Sequence, residues 1–197
     1  MVGRLDGLAV LDVGCGDGTL GLAMLQYGPR RLAGCDPDAR MVARAHAQAG
    51  REGCHIDLAV ARSQVLPYAD ETFDVVTCVT VLTFVADPEV ALREMARVLR
   101  PGGRLVIGDL GKWSCWAARR RIRGWFGATL WRAARFRSAN ELAATINSVG
   151  LTIHAIRGAI FFPPWAPLAR LMAPLDLSFG RAMTIGAAFV AIQATRP

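Results

Sequence analysis

The first half of the chain alternates short apolar runs with stretches of helical spacing. Residues 8–13 form an apolar run of Leu, Ala and Val closed by glycines, which predicts a buried strand. Residues 19–27 carry apolar side chains at helical spacing and stop at Gly28-Pro29, an expected helix end. A second strand is predicted over 31–35, and then a helix from an N-cap at Asp38 to about Gly50. Residues 55–61 and 73–79 read as the third and fourth strands, the latter introduced by the turn-rich "LPYADET". Asp87-Pro88 opens the next helix, with Asp as N-cap and Pro at its first position. That helix ends at "RPGG", and residues 104–109 form a fifth strand.

Beyond the fifth strand the rhythm changes. A basic segment runs to about Arg137, and Ser138 then caps a helix through Val149 that Gly150 ends. Residues 151–162 and 184–195 are strand-like and are separated by a Pro-rich excursion over 163–182. Strands alternating with single helices imply parallel strands joined by right-handed crossovers. The expected fold is therefore α/β: a doubly wound, Rossmann-like, mostly parallel sheet of about seven strands with an antiparallel edge strand. Residues 1–197 read as one domain, with a cofactor-binding core over 8–110. In such sheets ligands bind beyond the carboxyl ends of the strands, near the switch point in strand order. The glycine turn after the first strand, Asp36 after the second, Arg62-Ser63 after the third, Thr80 after the fourth and Asp109 after the fifth all fall there.

Residues 10–21 read "VLDVGCGDGTLG" and hold two overlapping patterns. Gly16-x-Gly18-x-x-Gly21 has the spacing of a dinucleotide fingerprint, and Asp36 lies where that fingerprint wants a ribose-binding acid. Asp12-x-Gly14-x-Gly16-x-Gly18 points to a different cofactor. Asp74 precedes its strand and reads as structural, and His154 in its alternating strand reads as packing.

Composition narrows the setting. With 53% hydrophobic and 20% charged residues the chain is folded and rather apolar. The uncharged run over 182–195 is 14 residues long, and a spanning helix needs about 20. The N-terminus carries no signal-peptide pattern, so a cytoplasmic protein is expected. Five cysteines without a C-x-x-C pair read as reduced thiols, and no metal site is expected, since His46, His55 and Cys54 assemble no tetrahedral set.

The formal charge of +7 is concentrated in one place. Residues 111–140 hold eight basic side chains, no acidic ones and four of the five tryptophans, leaving 15 basic and 16 acidic residues elsewhere. From Ile122 to Phe136 the apolar residues Ile122, Trp125, Phe126, Thr129, Leu130, Ala133 and Phe136 fall on one helical arc, on which Arg119 and Arg137 intrude, and Gly124 and Gly127 weaken a helix there. Three readings stay open for this segment: a lid with a solvated basic face, an interfacial segment for an anionic membrane surface, or a binder of an anionic substrate. Nucleic acid is disfavoured, since neither a D/N-P-P-Y/F-like motif nor a Pro-Cys nucleophile follows the fourth strand.

"VLDVGCGDGTLG", "GCDPDARMVARA", "LPYADETFDVVTCVTVLTFVADPEVALREMARVLRPGGRLVIGD" and "ANELAATINSVGL" together resemble a class I S-adenosylmethionine-dependent methyltransferase. The similarity is to the small-metabolite subgroup that includes quinone-biosynthesis C-methyltransferases, close over residues 8–110 and looser beyond. Charge agrees. A pyrophosphate wants helix amides and no anion beside it, whereas a sulfonium cofactor with an amino-acid moiety is favoured by Asp12. The resemblance implies S-adenosylmethionine as cofactor, S-adenosylhomocysteine as product and a small hydrophobic or amphipathic acceptor. It places Asp12, Gly14, Cys15, Gly16 and Thr19 in the cofactor turn. Asp36 and Pro37 then fall at the ribose, Met41 near adenine and ribose, Arg62 and Ser63 at the adenine edge, and Val79 and Thr80 at the methionine portion.

Three departures accompany the likeness. Ala61, Arg62 and Ser63 stand where the family usually has a small residue and an acid, and an arginine cannot accept a hydrogen bond. The stretch after the fourth strand reads "LTFV", without a histidine, so no general base stands out; Thr80, Thr83 and Asp109 are candidates by position alone. The chain also begins almost at the first strand, where members carry a covering helix. That implies a more open site, a shortened product, or coverage by another chain, a homodimer included. Two rival functions stand beside methyl transfer in solution: a peripheral membrane methyltransferase for a lipid headgroup or quinone precursor, and a non-catalytic S-adenosylmethionine-binding module.

Overall fold

In the computed structural model, residues 2–163, 176 and 178–197 are described. The expected strands form at β1 (Ala9–Val13), β2 (Arg31–Asp36), β3 (Asp57–Val60), β4 (Phe73–Val79), β5 (Leu99–Leu110), β6 (Thr152–Ala159) and β7 (Phe189–Thr195). They make one seven-stranded sheet in the order β3-β2-β1-β4-β5-β7-β6. The strands β1 to β5 pair in parallel, and the addition at the edge is antiparallel, with β7 running against both β5 and β6. The last strand in sequence is thus next to last in space. Strand order reverses between β1 and β4, which sets the switch point.

Helices cover both faces. α1 (Thr19–Leu25) and α2 (Ala39–Arg51) pack on one face, where Val10, Leu32 and Val75 meet Met24, Ala49 and Ile56. On the other, α3 (Pro88–Val98) and α6 (Ala139–Ser148) bury Leu92, Met95, Leu142 and Ile146 against Leu11, Val76 and Ile107. Being covered on both sides, β1 is buried at every position and reads as a continuous apolar run rather than an alternation. The predicted caps form: Asp38 accepts from Arg40 N, Asp87 from Val90 N, and Ser138 with Glu141 makes a capping box.

The motifs around "LPYADETFD" and "EMARVLRPGG" meet at the amino-terminal edge of the sheet, away from the strand ends that bind ligand. Arg97 donates to Glu94, to Asp70 Oδ1 at 2.6 Å and to the carbonyls of Leu66 and Tyr68. Glu94 in turn accepts from Leu66 N at 2.9 Å. Asp74 accepts from Ala9 N at 2.8 Å and from Arg100 at 2.6 Å, the structural role expected of it. These side chains staple the loop before β4 to α3.

Three expectations change. The fifth strand begins at Leu99 rather than 104, so "RPGG" lies within it, bulged where its pairing with β4 shifts between Phe73 and Val75. The arc over 122–136 does not form one helix. α4 (Cys115–Trp125) and α5 (Thr129–Ala133) are separate, with Gly127 between them at φ 99°. A Cβ on Gly124 would stand 3.1 Å from the backbone carbon of Trp131, so the missing side chain lets α5 fold back on α4. The fold-back buries Phe136 and leaves Trp125 and Phe126 at the tip, 81% and 86% exposed. His154 does not pack into the core either. The register of β6 shifts between Ile153 and Ala155, and this irregularity leaves His154 exposed, 2.7 Å from Thr195 Oγ1.

Candidate active site

The turn after β1 starts the site. Gly14, Gly16 and Gly18 have φ of 75°, 54° and 86°, conformations that glycine adopts without a Cβ penalty. Gly14 N and Cys15 N both donate to Cys35 O at 2.7 and 3.0 Å, which ties this turn to the end of β2. A Cβ on Gly14 would lie 2.2 Å from Val81 Cγ2, so the turns after β1 and β4 touch directly. Gly16 meets nothing within 4 Å on its open side.

A cavity of about 710 Å³ opens there, at the switch point. Of the residues singled out from sequence, Gly14, Gly16, Asp36, Pro37, Met41, Arg62, Ser63, Val79 and Thr80 line it. Asp12, Cys15 and Thr19 lie outside the lining. Thr19 donates to Asp17 at 2.7 Å and closes the start of α1. Cys15 is buried against Gly34, and burial pushes its thiol up to about 12. Ala61 and Gln64 line the cavity beside Arg62 and Ser63, and it also includes residues sequence reasoning did not place in the site: Asp38, the wall from Val81 through Phe84 to Ala86, and Leu130 of α5.

Asp36 is the polar centre. Its Oδ2 accepts from Gly16 N at 3.1 Å and its Oδ1 from Asp38 N at 2.9 Å. Each carboxylate oxygen has two lone pairs, so one remains on each for a diol. Asp12 lies beneath the turn, 2% exposed, with Oδ1 accepting from Thr77 Oγ1 at 2.7 Å and Oδ2 buried without a partner. Burial, with Asp36 adding repulsion, pushes the Asp12 carboxyl up to about 7. A buried carboxylate with an unmet oxygen fits a cation nearby far better than a pyrophosphate.

Thr80 sits at the end of β4 with φ 58°, a strained conformation for a β-branched residue. Its amide donates to Gly108 O at 2.6 Å and its hydroxyl to Val79 O at 2.7 Å, which together hold it there. Asp109, a strand-end candidate by position, is fully buried, with Oδ1 accepting from Thr83 Oγ1 at 2.5 Å and Leu110 N at 2.9 Å. Burial raises its pKa, and neither it nor Thr83 lines the cavity. Among the described residues no group of three or more His, Cys, Asp or Glu could hold a metal, and no helix is long and apolar enough to cross a membrane.

A doubly wound sheet with a glycine turn, a diol-ready carboxylate after β2 and one cavity at the switch point defines a Rossmann-like protein that holds a nucleoside cofactor. A family described as "Methyltransferase domain" matches residues 11–107. The ubiquinone biosynthesis O-methyltransferase of Xanthomonas euvesicatoria is 31% identical over 89% of this chain and 75% of its own. Among solved structures, an S-adenosylmethionine-dependent methyltransferase from Mesorhizobium loti shares the fold with TM-score 0.73 and 20% identity, covering 98% of this chain and 93% of that one. The geranyl diphosphate C-methyltransferase of Streptomyces coelicolor, solved with S-adenosyl-L-homocysteine, has TM-score 0.72 and 19% identity over 100% and 75%. This chain belongs to the S-adenosylmethionine-dependent methyltransferases.

Proposed function

We propose that the chain methylates a hydroxyl oxygen of a small, largely apolar acceptor. The observation that carries this is the division of one cavity. The ends of β2 and β3 give it a polar side at Asp36, Asp38 and Gln64, and the turn after β4 gives it an apolar side at Val81, Phe84, Val85 and Ala86, with Leu130. Oxygen as the receiving atom is the chemistry named for the Xanthomonas relative; the C-methyltransferases of the sequence likeness are the alternative.

When bound, S-adenosylmethionine supplies a methyl group activated by its sulfonium charge. Asp36 would accept from both ribose hydroxyls, with Gly16 N holding the carboxylate in place. Met41 would pack beside adenine, and Ala61, Ser63 and Gln64 would meet its edge in place of the usual acid. Val79 and Thr80 would border the methionine portion, while the ionised form of Asp12 would favour the cationic ligand through the turn. The apolar wall would exclude water and hold the acceptor aligned, which supplies much of the rate in a displacement reaction. Proton removal from the acceptor is assigned to no side chain.

Calorimetric titration with S-adenosylhomocysteine, run beside methyl transfer from labelled cofactor to catechols and phenols, tests this reading. Absence of binding would sink it. Binding without transfer to any acceptor would favour the non-catalytic module.

A specific observation supports a second setting for the same chemistry, at an anionic membrane surface. Ile122, Trp125, Phe126 and Leu130 are exposed together at the α4–α5 tip, and Leu130 also lines the cavity. The arginines of 119–137 make no ion pair among the described residues, whereas Arg31, Arg93, Arg97, Arg100 and Arg196 elsewhere do. Flotation with anionic vesicles at low and high salt checks this, and Trp125→Ser with Phe126→Ser should abolish it.

A further inference from the structure

The apolar wall of the cavity is a loop, and a loop needs its carbonyls satisfied. Residues 81–86 make a short 3-10 turn (Leu82–Phe84) whose own hydrogen bonds are only Phe84 N to Val81 O and Val85 N to Leu82 O. Further bonds to its carbonyls come from the far end of the basic segment. Arg137 Nη1 donates to Leu82 O at 2.6 Å and Nη2 to Val85 O at 3.2 Å. Arg135 donates its amide to Thr83 O at 2.7 Å and its guanidinium to Ala86 O at 3.1 Å. Behind the loop Thr83 bonds Asp109 on β5, and beside it Phe84 packs on Trp131 with ring centroids 6.1 Å apart. The main chain of Arg137 is anchored in turn, accepting from Lys112 N at 3.1 Å just past β5.

We propose that Arg137 is a positioning residue for the acceptor half of the site: its planar fork spans two carbonyls of the wall and joins the wall to the segment between α5 and α6. It touches neither cofactor nor acceptor and acts through Phe84, Val85 and Ala86. The ribose side of the cofactor half is built from the turn after β1 and from Asp36, with no bond to Arg137, and it meets the wall where Val81 packs on Gly14. Removing the guanidinium frees the wall and leaves the cofactor half intact. Lysine does not replace it, because one ammonium lacks the fork geometry that reaches both carbonyls at once. The assignment of the apolar side to the acceptor rests on the reading above.

The test uses the full chain with Arg137→Ala and Arg137→Lys. Hydrogen exchange should quicken by about tenfold or more over 81–86 in both variants, the size expected for losing charge-assisted bonds to the loop. Exchange over 12–21 and affinity for S-adenosylhomocysteine should stay as in the wild type. With catechol as acceptor, KM should rise about tenfold or more with little change for the cofactor, and millimolar guanidinium ion should restore the alanine variant where sodium does not. Unchanged exchange over 81–86, full restoration by lysine, or a parallel loss of cofactor affinity would each overturn the proposal. If the wild type leaves catechol untouched, the acceptor reading fails while exchange and calorimetry still judge the latch.

Discussion

Replacing Asp12 with Asn should shift the stability of the ligand-free protein in a pH-dependent way, with no gain at acid pH and a net gain from about neutral pH upward. The carboxyl is held at about 7 against an ordinary 3.8, because burial penalises the charged form and Asp36 repels it. Below pH 4 the group is protonated folded and unfolded, and its ionisation costs nothing. Between about 4 and 7 the unfolded chain has released the proton that the folded one keeps, so stability falls by roughly 1.4 kcal/mol per pH unit. Above 7 the loss levels off near 4 kcal/mol on that scale. Asn keeps the acceptor for Thr77 but puts an amide where Oδ2 was, an unmet donor costing about 1–3 kcal/mol at every pH. The pH-dependent part separates from that constant. Urea unfolding at pH 5, 6, 7 and 8 should show the gap between variant and wild type widening by about 2–3 kcal/mol from pH 5 to 7 and then flattening. In thermal unfolding the same change moves the midpoint by about 5–11 °C. Asp109 titrates alike in both proteins and cancels. A gap that does not vary with pH would refute the burial argument.

Asp36→Ala should weaken S-adenosylhomocysteine binding by about 10- to 100-fold, the size of losing hydrogen bonds to a charged acceptor; unchanged affinity by calorimetry would remove Asp36 from the site. Gly14→Ala should cost about 2–4 kcal/mol in urea unfolding, since the new Cβ overlaps Val81 while φ stays at 75°. Arg97→Ala should cost about 2–3 kcal/mol and leave cofactor affinity in place, because its bonds to Glu94, Asp70 and two carbonyls lie at the opposite end of the sheet. A fall in affinity matching the fall in stability would contradict that separation.

The parts legible in sequence were those with short-range physics. Strand periodicity, the caps at Asp38, Asp87 and Ser138, and the glycines after β1 each declare themselves within a few residues, and so did the strand-end positions of Asp36 and Thr80. What stayed hidden depends on distant contacts. The helical arc through Trp125 and Phe126 was a sound reading of spacing, but the packing of Gly124 against Trp131 decides where the chain folds back. The burial of Asp109 at its strand end is invisible in sequence because Thr83, its partner, is 26 residues away. The cavity wall at Phe84 to Ala86 has no polar signature, and its ties to Arg135 and Arg137 span about fifty positions.

The placement of β7 also bears on when the protein can fold. During synthesis β1 to β5 can assemble as their crossovers emerge, but β6 has no neighbour until β7 is made. Until then β5 and β6 both present open edges, the kind of surface that pairs with other chains. Arg196 follows β7 at once and bonds the carbonyls of Ala96, Arg97 and Leu99 at the end of α3. Closure of the sheet and locking of α3 therefore fall to the same late stretch of chain. A nascent protein stalled before residue 189 would carry its glycine turn complete and its sheet unfinished, a target for chaperones.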